Sequence, residues 1–203
     1  MGEHTWRIPE KSATVVPEFG FGERPARTRL MKMLHLLRHA KSSAKDDVED
    51  HERPLSRRGR ATARQIGEHL PAKLGAVDLV LCSSARRTRE TLDLVLAEFS
   101  PYPRIVIEDG LYLASPERLA RRLRRLEPRA ANVLLIGHNP GLHELAVALA
   151  EKGSPDFRAL ASGKFPTAAC ASFRVPADWS ALGCSRHELT GYVTPASLAG
   201  EDE

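Results

Sequence analysis

Aromatic residues are scarce in this 203-residue chain, cysteine is nearly absent, and nowhere do apolar residues run on unbroken for long. The three cysteines, Cys82, Cys170 and Cys184, are odd in number and widely separated, which argues against a disulfide framework and against a thiolate metal site. No apolar run approaches the roughly 18 residues that a membrane-spanning helix needs. Residues 1–32 have no apolar core for a secretory signal and carry acidic residues that transit peptides avoid, so the chain reads as cytoplasmic, with no membrane partner. With aromatics at 5%, nothing is interleaved among the arginines of residues 118–129 to stack on bases. No nucleic-acid partner is expected: that segment reads as the solvated face of a helix whose other side carries Leu119, Leu123 and Leu126.

What is present is a globular balance of 42% apolar and 28% charged residues, with a mild net charge of +4. Residues 1–30, punctuated by Pro9, Pro17, Pro25, Gly20 and Gly22, read as a flexible extension, residues 31–195 as one domain and residues 196–203 as a fraying tail. Within the domain, short runs rich in Leu, Val and Ile alternate with helical patterns. Strands are expected at residues 33–37, 77–81, 104–107 and 132–136, with two late ones at 168–175 and 186–193. Helices are expected from residue 57 to 70, capped by Ser56 and closed by Pro71, from the Cys82-Ser83-Ser84 segment through Phe99, after Ser115-Pro116, and at 142–150. This alternation predicts a three-layer α/β/α sandwich around a mostly parallel sheet.

Three segments with chemical potential each follow a predicted strand: LLRHA at residues 36–40, SSARRTRET at 83–91, and GHNPG at 137–141. Ligands of parallel sheets bind beyond the carboxyl ends of the strands, so segments far apart in sequence can converge there. Arg38, His39, Arg86 or Arg87, and His138 would then meet. Two imidazoles and two guanidiniums without carboxylates make a poor metal site, and neither a metal nor an organic cofactor is expected. They make a good phosphate site, because guanidiniums grip phosphoryl oxygens in pairs and a neutral imidazole can attack phosphorus.

The Arg38-His39 pair after the first strand resembles the signature of the histidine phosphatase, or phosphoglycerate mutase-like, superfamily. Asp50-His51-Glu52-Arg53-Pro54-Leu55-Ser56 followed by Gly59, Leu111-Tyr112-Leu113-Ala114-Ser115 and Gly137-His138-Asn139-Pro140-Gly141 look like its bacterial phosphohistidine phosphatase (SixA) branch. The resemblance implies a phosphoglycerate mutase-like fold, His39 as nucleophile, His138 as second catalytic histidine, and Arg38 as a phosphate ligand. Counting four residues back from Thr91 in the S-x-A-x-R-T-x-E-T pattern makes Arg87 the second phosphate-binding arginine and Arg86 its variable neighbour. On a helix the two point about 100° apart, so one can face a pocket while the other faces solvent.

No acidic residue follows His138, where Asn139 stands, and Glu108 and Asp109 are as readily turn carboxylates before Gly110. An alkoxide leaving group benefits from an acid, whereas imidazole can leave neutral once its other nitrogen is protonated. The expected substrate is therefore phosphohistidine on a partner protein such as a histidine phosphotransfer domain. The alternatives are a small phosphorylated molecule, as substrate of a phosphomonoesterase or mutase, and a phosphoprotein-binding module without turnover. His35 is expected to be structural, His51 and Arg53 either to border the site or to order the loop after His39, and His143 to take a partner or surface role.

Overall fold

The computed structural model describes residues 31–43, 48–163 and 165–199; the extension expected over residues 1–30 lies outside them. Strand β1 (Lys32–Arg38) is followed by helix α1 (Arg57–Leu74), β2 (Leu79–Ser83), α2 (Arg86–Leu96), β3 (Arg104–Glu108) and α3 (Pro116–Leu123). Then come β4 (Asn132–Gly137), α4 (Gly141–Leu149), α5 (Phe157–Ala161), β5 (Cys170–Val175), β6 (Glu188–Val193) and α6 (Pro195–Ala199). The six strands form one sheet in the order β3-β2-β4-β1-β5-β6. The first four of these run parallel, and β5 and β6 add an antiparallel edge.

Burial on both faces explains why the strands are continuous apolar runs rather than alternating ones. On one face Leu34, Leu36, Leu81, Val133 and Leu135 pack under α3 and α4, joined by Phe165, Phe173 and Trp179. On the other, Leu37, Val80, Cys82, Leu134 and Ile136 pack under α1 and α2. Each fully buried leucine contributes about 2 kcal/mol. His35, in the middle of β1, is buried and satisfied on both nitrogens by Ser172 Oγ and Asn132 Oδ1, each at 2.8 Å, and burial lowers its pKa to about 4. It is a structural histidine, as expected.

Helix starts follow their caps. Ser56 Oγ accepts from Gly59 N at 3.0 Å, and Ser115 caps α3 with Pro116 in its first turn. Helix ends differ from expectation. α1 runs past Pro71 to Leu74, because Leu74 is one more buried turn of the Ala63, Ile66, Leu70 stripe and Gly75, at φ 65°, turns the chain and donates to Pro71 O. α2 stops at Leu96 rather than Phe99, and α3 at Leu123, so the arginines after it lie on turns. α5 has no counterpart in the expected elements. Residues 196–199, expected to fray, belong to α6 and bury Leu198 against the α1 side of the core. No helix among the described residues is long and apolar enough to cross a membrane.

Candidate active site

Strand register assembles the site. β1 pairs with β4 so that Leu37 faces Ile136 and Arg38 faces Gly137; one step further, His39 and His138 leave adjacent strands side by side. The His39 N–H extends the ladder to Gly137 O at 3.1 Å, and the two imidazole centroids are 5.1 Å apart. β2 pairs Cys82 with Ile136, which brings Ser83 to His138; Ser83 Oγ and His138 Nε2 are 2.7 Å apart. Two segments separated by a hundred residues are thus held by backbone hydrogen bonds rather than by flexible side chains.

His39 is buried, and its Nδ1 lies 2.7 Å from the carbonyl of Ala40. A carbonyl only accepts, so Nδ1 carries the proton and Nε2 keeps its lone pair. Burial is the largest influence on this ring, the Arg87 and Arg38 charges add to it, and its pKa falls to about 4. Burial, His39 and Arg87 lower His138 further, to about 3. Both rings are therefore neutral at pH 7.

The register of α2 explains each letter of its motif. Arg87 is buried in the first turn, whereas Arg86 is exposed and pairs with Glu90 on the same helix at 2.8 Å. Thr88 Oγ1 bonds back to Ser83 O and Ala85 O, Glu90 accepts from Leu55 N at 2.9 Å, and Thr91 Oγ1 accepts from Ala40 N at 3.0 Å. Glu90 and Thr91 thereby fasten the loop that follows His39. Two glycines allow the remaining close approaches. A Cβ on Gly59 would stand 2.0 Å from Lys41 O, and one on Gly141 would stand 2.0 Å from Ala114 O.

Arg38, Arg87, His39 and His138 do converge. Arg38 donates to Phe165 O at 2.7 Å, a carbonyl that also accepts from Asn139 Nδ2 at 3.0 Å. Arg38 Nε and His138 Nδ1 are buried without a partner, as is the acceptor Asn139 Oδ1 next to His138 in sequence. Unpaired buried polar groups are costly, and two of them beside one cleft fit a site built to receive an anion. Among the described residues no group of three or more His, Cys, Asp or Glu side chains could hold a metal ion.

Asp50 and Tyr112 stand in the motifs quoted above, and both enter the site although no role was expected of them. Arg87 donates to Asp50 O at 2.5 Å and to Asp50 Oδ2 at 2.9 Å, and Tyr112 OH donates to the same Oδ2 at 2.6 Å. The Tyr112 hydrogen bond and then the Arg87 and Arg53 guanidiniums hold the Asp50 carboxyl down at about 2. Tyr112 also lies edge-on to His138 and to His51, with centroids at 5.4 and 5.0 Å. Of the two roles open to the loop residues, His51 borders the site, against Tyr112 and 2.9 Å from Ser84 Oγ, while Arg53 orders the loop by donating to Ser43 O at 3.0 Å. Glu108 is clamped by Arg122 at 2.6–2.9 Å, and His143 Nε2 donates to Leu160 O at 2.8 Å.

A family model described as the histidine phosphatase superfamily (branch 1) matches residues 34–112, the stretch that contains Arg38, His39, Asp50, Arg87 and Tyr112. An uncharacterized protein of Mycobacterium tuberculosis strain H37Rv, Rv1276c, is 36% identical over 163 residues, spanning 78% of this chain and 99% of its own. The chain belongs to the histidine phosphatase superfamily. Its fold is that of the superfamily, with a mostly parallel six-stranded sheet between helices. A Nakamurella multipartitia protein assigned as phosphohistidine phosphatase SixA superposes with a TM-score of 0.71 at 28% identity, over 81% of this chain and 96% of that one. The Agrobacterium tumefaciens protein assigned likewise gives 0.68 at 27% identity, over 81% and 98%.

Proposed function

We propose that this chain is a phosphatase that takes a phosphoryl group onto His39, and that its substrate is a phosphohistidine on another protein, such as a histidine phosphotransfer domain. The observation that carries the reading is the Nδ1 hydrogen bond of His39 to Ala40 O, 2.7 Å long. It leaves Nε2 as a neutral nucleophile, and the pKa of about 4 keeps it so across the physiological range.

Both half-reactions follow from that tautomer. In the first, the Nε2 lone pair forms a bond to phosphorus while the P–N bond of the substrate breaks and its electron pair returns to the substrate imidazole. A proton on the other substrate nitrogen lets that imidazole leave neutral. His39 is then Nε2-phosphorylated and still protonated at Nδ1, a cationic ring held by the Ala40 carbonyl. In the second, water attacks phosphorus and the Nε2–P bond breaks, returning neutral imidazole. Arg38 and Arg87 balance the equatorial phosphoryl oxygens, and His138 can donate from Nδ1 when Ser83 donates to its Nε2.

The groups around the cleft favour a leaving group that needs no strong acid. Asp50 is ionised at about 2, Glu108 is bound to Arg122, and the position after His138 carries the Asn139 amide. Likeness to the two SixA proteins supports the same substrate class.

The test is incubation with a phosphorylated histidine phosphotransfer domain, following phosphate release and acid-labile labelling of the wild type and His39→Ala. Release and labelling in the wild type, both lost in the variant, are expected. Failure on the phosphoprotein with turnover of a phosphomonoester panel would move the substrate to small molecules and leave the covalent step in place.

A further inference from the structure

Beside the active site, on the same sheet edge, lies a second concave feature of about 520 Å3 lined by Leu111, Arg118, Arg121, Arg122 and Arg125 together with Glu108 and Gly110. We propose that this groove docks the acidic surface that flanks the phosphohistidine on the partner protein, with Leu113 as an apolar contact at its head. The inference rests on the phosphoprotein reading of the active site and names the surface of the partner that would be recognised.

Three observations carry it. First, the arginines form one stripe. Positions 118, 121, 122 and 125 recur at three- and four-residue steps, so they share a face of α3 and its trailing turn. Arg122 is neutralised by Glu108, and Arg118 reaches across so that a Cβ on Gly110 would stand 3.3 Å from its guanidinium. Arg118, Arg121 and Arg125 are exposed and form no salt bridge among the described residues, although, after the Ser115 hydrogen bond, the Arg121 charge helps to hold the Glu117 carboxyl down. A basic groove with spare charge is complementary to an acidic protein face.

Second, the groove is continuous with the cleft. Leu111 in its floor is followed by Tyr112, which bonds Asp50 and touches the His138 ring. The start of α3 is fixed against the start of α4 by the contact of Ala114 O with Gly141. A partner whose phosphohistidine enters the cleft would lay its neighbouring surface along this stripe, which extends about 10 Å from Arg118 to Arg125.

Third, Leu113, between Tyr112 and the stripe, is 53% exposed and held at φ 44°. A leucine in the left-handed region is uncommon and strained, and its exposure means that core packing does not offset the strain. An exposed apolar side chain presented there, just ahead of the helix that carries the arginines, has the make-up of a protein-binding anchor.

The experiment compares Arg121→Glu/Arg125→Glu and Leu113→Asn, which keeps a residue that tolerates the left-handed region, with the wild type. The substrates are a phosphorylated histidine phosphotransfer domain and phosphoramidate, a small P–N substrate. A drop of ten-fold or more in kcat/KM for the phosphoprotein, with phosphoramidate turnover within two-fold of wild type and a weaker salt dependence in the arginine variant, is the expected result. Wild-type kcat/KM on the phosphoprotein in both variants overturns the docking surface and leaves the phosphohistidine reading standing. Equal losses on both substrates also overturn it, because the groove would then act on the chemistry. If the wild type turns over phosphoramidate but not the phosphoprotein, the substrate reading fails and the docking proposal falls with it.

Discussion

The Nδ1 proton of His39 is donated to the carbonyl of the next residue, Ala40, across 2.7 Å. The backbone of the nucleophile loop therefore selects the tautomer, and the same loop is anchored by Thr91, which accepts from Ala40 N at 3.0 Å. Because burial and the two arginines lower the His39 pKa to about 4, the lone pair stays available well below the 6.5 of an ordinary histidine. The acid limb of kcat/KM should fall near pH 4. A profile measured on a substrate whose own ionisations lie outside that window, and falling instead near 6.5, would show that His39 is not the neutral nucleophile.

Arg87 and Arg86 give a sharper contrast. Arg87 is buried in the cleft, and Arg86 is half-exposed and pairs along its own helix with Glu90. Arg87→Ala should lower kcat/KM by about 100- to 1,000-fold, the usual loss for one oxyanion-binding donor. Arg86→Ala should cost less than about two-fold in activity and less than about 0.5 kcal/mol in stability. Steady-state kinetics and chemical denaturation of both variants decide it.

The convergence of Arg38, His39, Arg87 and His138 was legible because three motifs each followed a strand, and parallel strands deliver their carboxyl ends to one edge. Register, which places His39 beside His138, is a property of paired strands and cannot be read from either one. The Asp50 contact with Arg87 crosses 37 positions of sequence between a loop and a helix, and no local periodicity encodes it. Tyr112 could have been singled out: a polar-tipped aromatic a few residues beyond a predicted strand end is a reasonable rim residue. Helix ends were misjudged where tertiary burial outweighed a local breaker, as at Pro71 and Leu74.

Gly59 and Gly141 carry the closest backbone approaches at the site. Each would place a Cβ 2.0 Å from a carbonyl oxygen, of Lys41 and Ala114 respectively, and backbone cannot rotate away as a side chain can. Alanine at either position should destabilise the fold by at least about 2 kcal/mol. Gly75→Ala, with open space around it but a backbone at φ 65° and ψ −157°, should cost about 1–3 kcal/mol. Unfolding midpoints that rank Gly75→Ala as the most damaging of the three would contradict the steric account.

Stability should also depend on acid through the buried imidazoles. His35 and His39 protonate near 4 and His138 near 3 in the folded chain, against 6.5 when unfolded. Between those values the unfolded state binds more protons, so stability rises with pH across the window and is lost as pH falls from about 6.5 towards 4. His35, which no other imidazole faces, can contribute on the order of 3 kcal/mol to that loss. His35→Asn, away from the cleft, should flatten the dependence measured by urea unfolding at a series of pH values; an unchanged slope would assign the acid sensitivity elsewhere.

Asp50 sets the last expectation, because its carboxylate occupies the Arg87 guanidinium that a phosphoryl group would approach. Arg87 Nη2 is 2.9 Å from Asp50 Oδ2, and the Tyr112 hydroxyl shares that oxygen at 2.6 Å. At a pKa of about 2 the carboxylate stays charged at every working pH and opposes an incoming anion. Asp50→Asn keeps the shape and an acceptor for Tyr112 while removing one negative charge, a change of about 1 kcal/mol for a partly exposed neighbour of the bound anion. Inorganic phosphate should then inhibit about five-fold more tightly. Weaker inhibition in this variant would mean that the carboxylate serves chiefly to orient Arg87, and that its repulsion of the anion is the smaller effect.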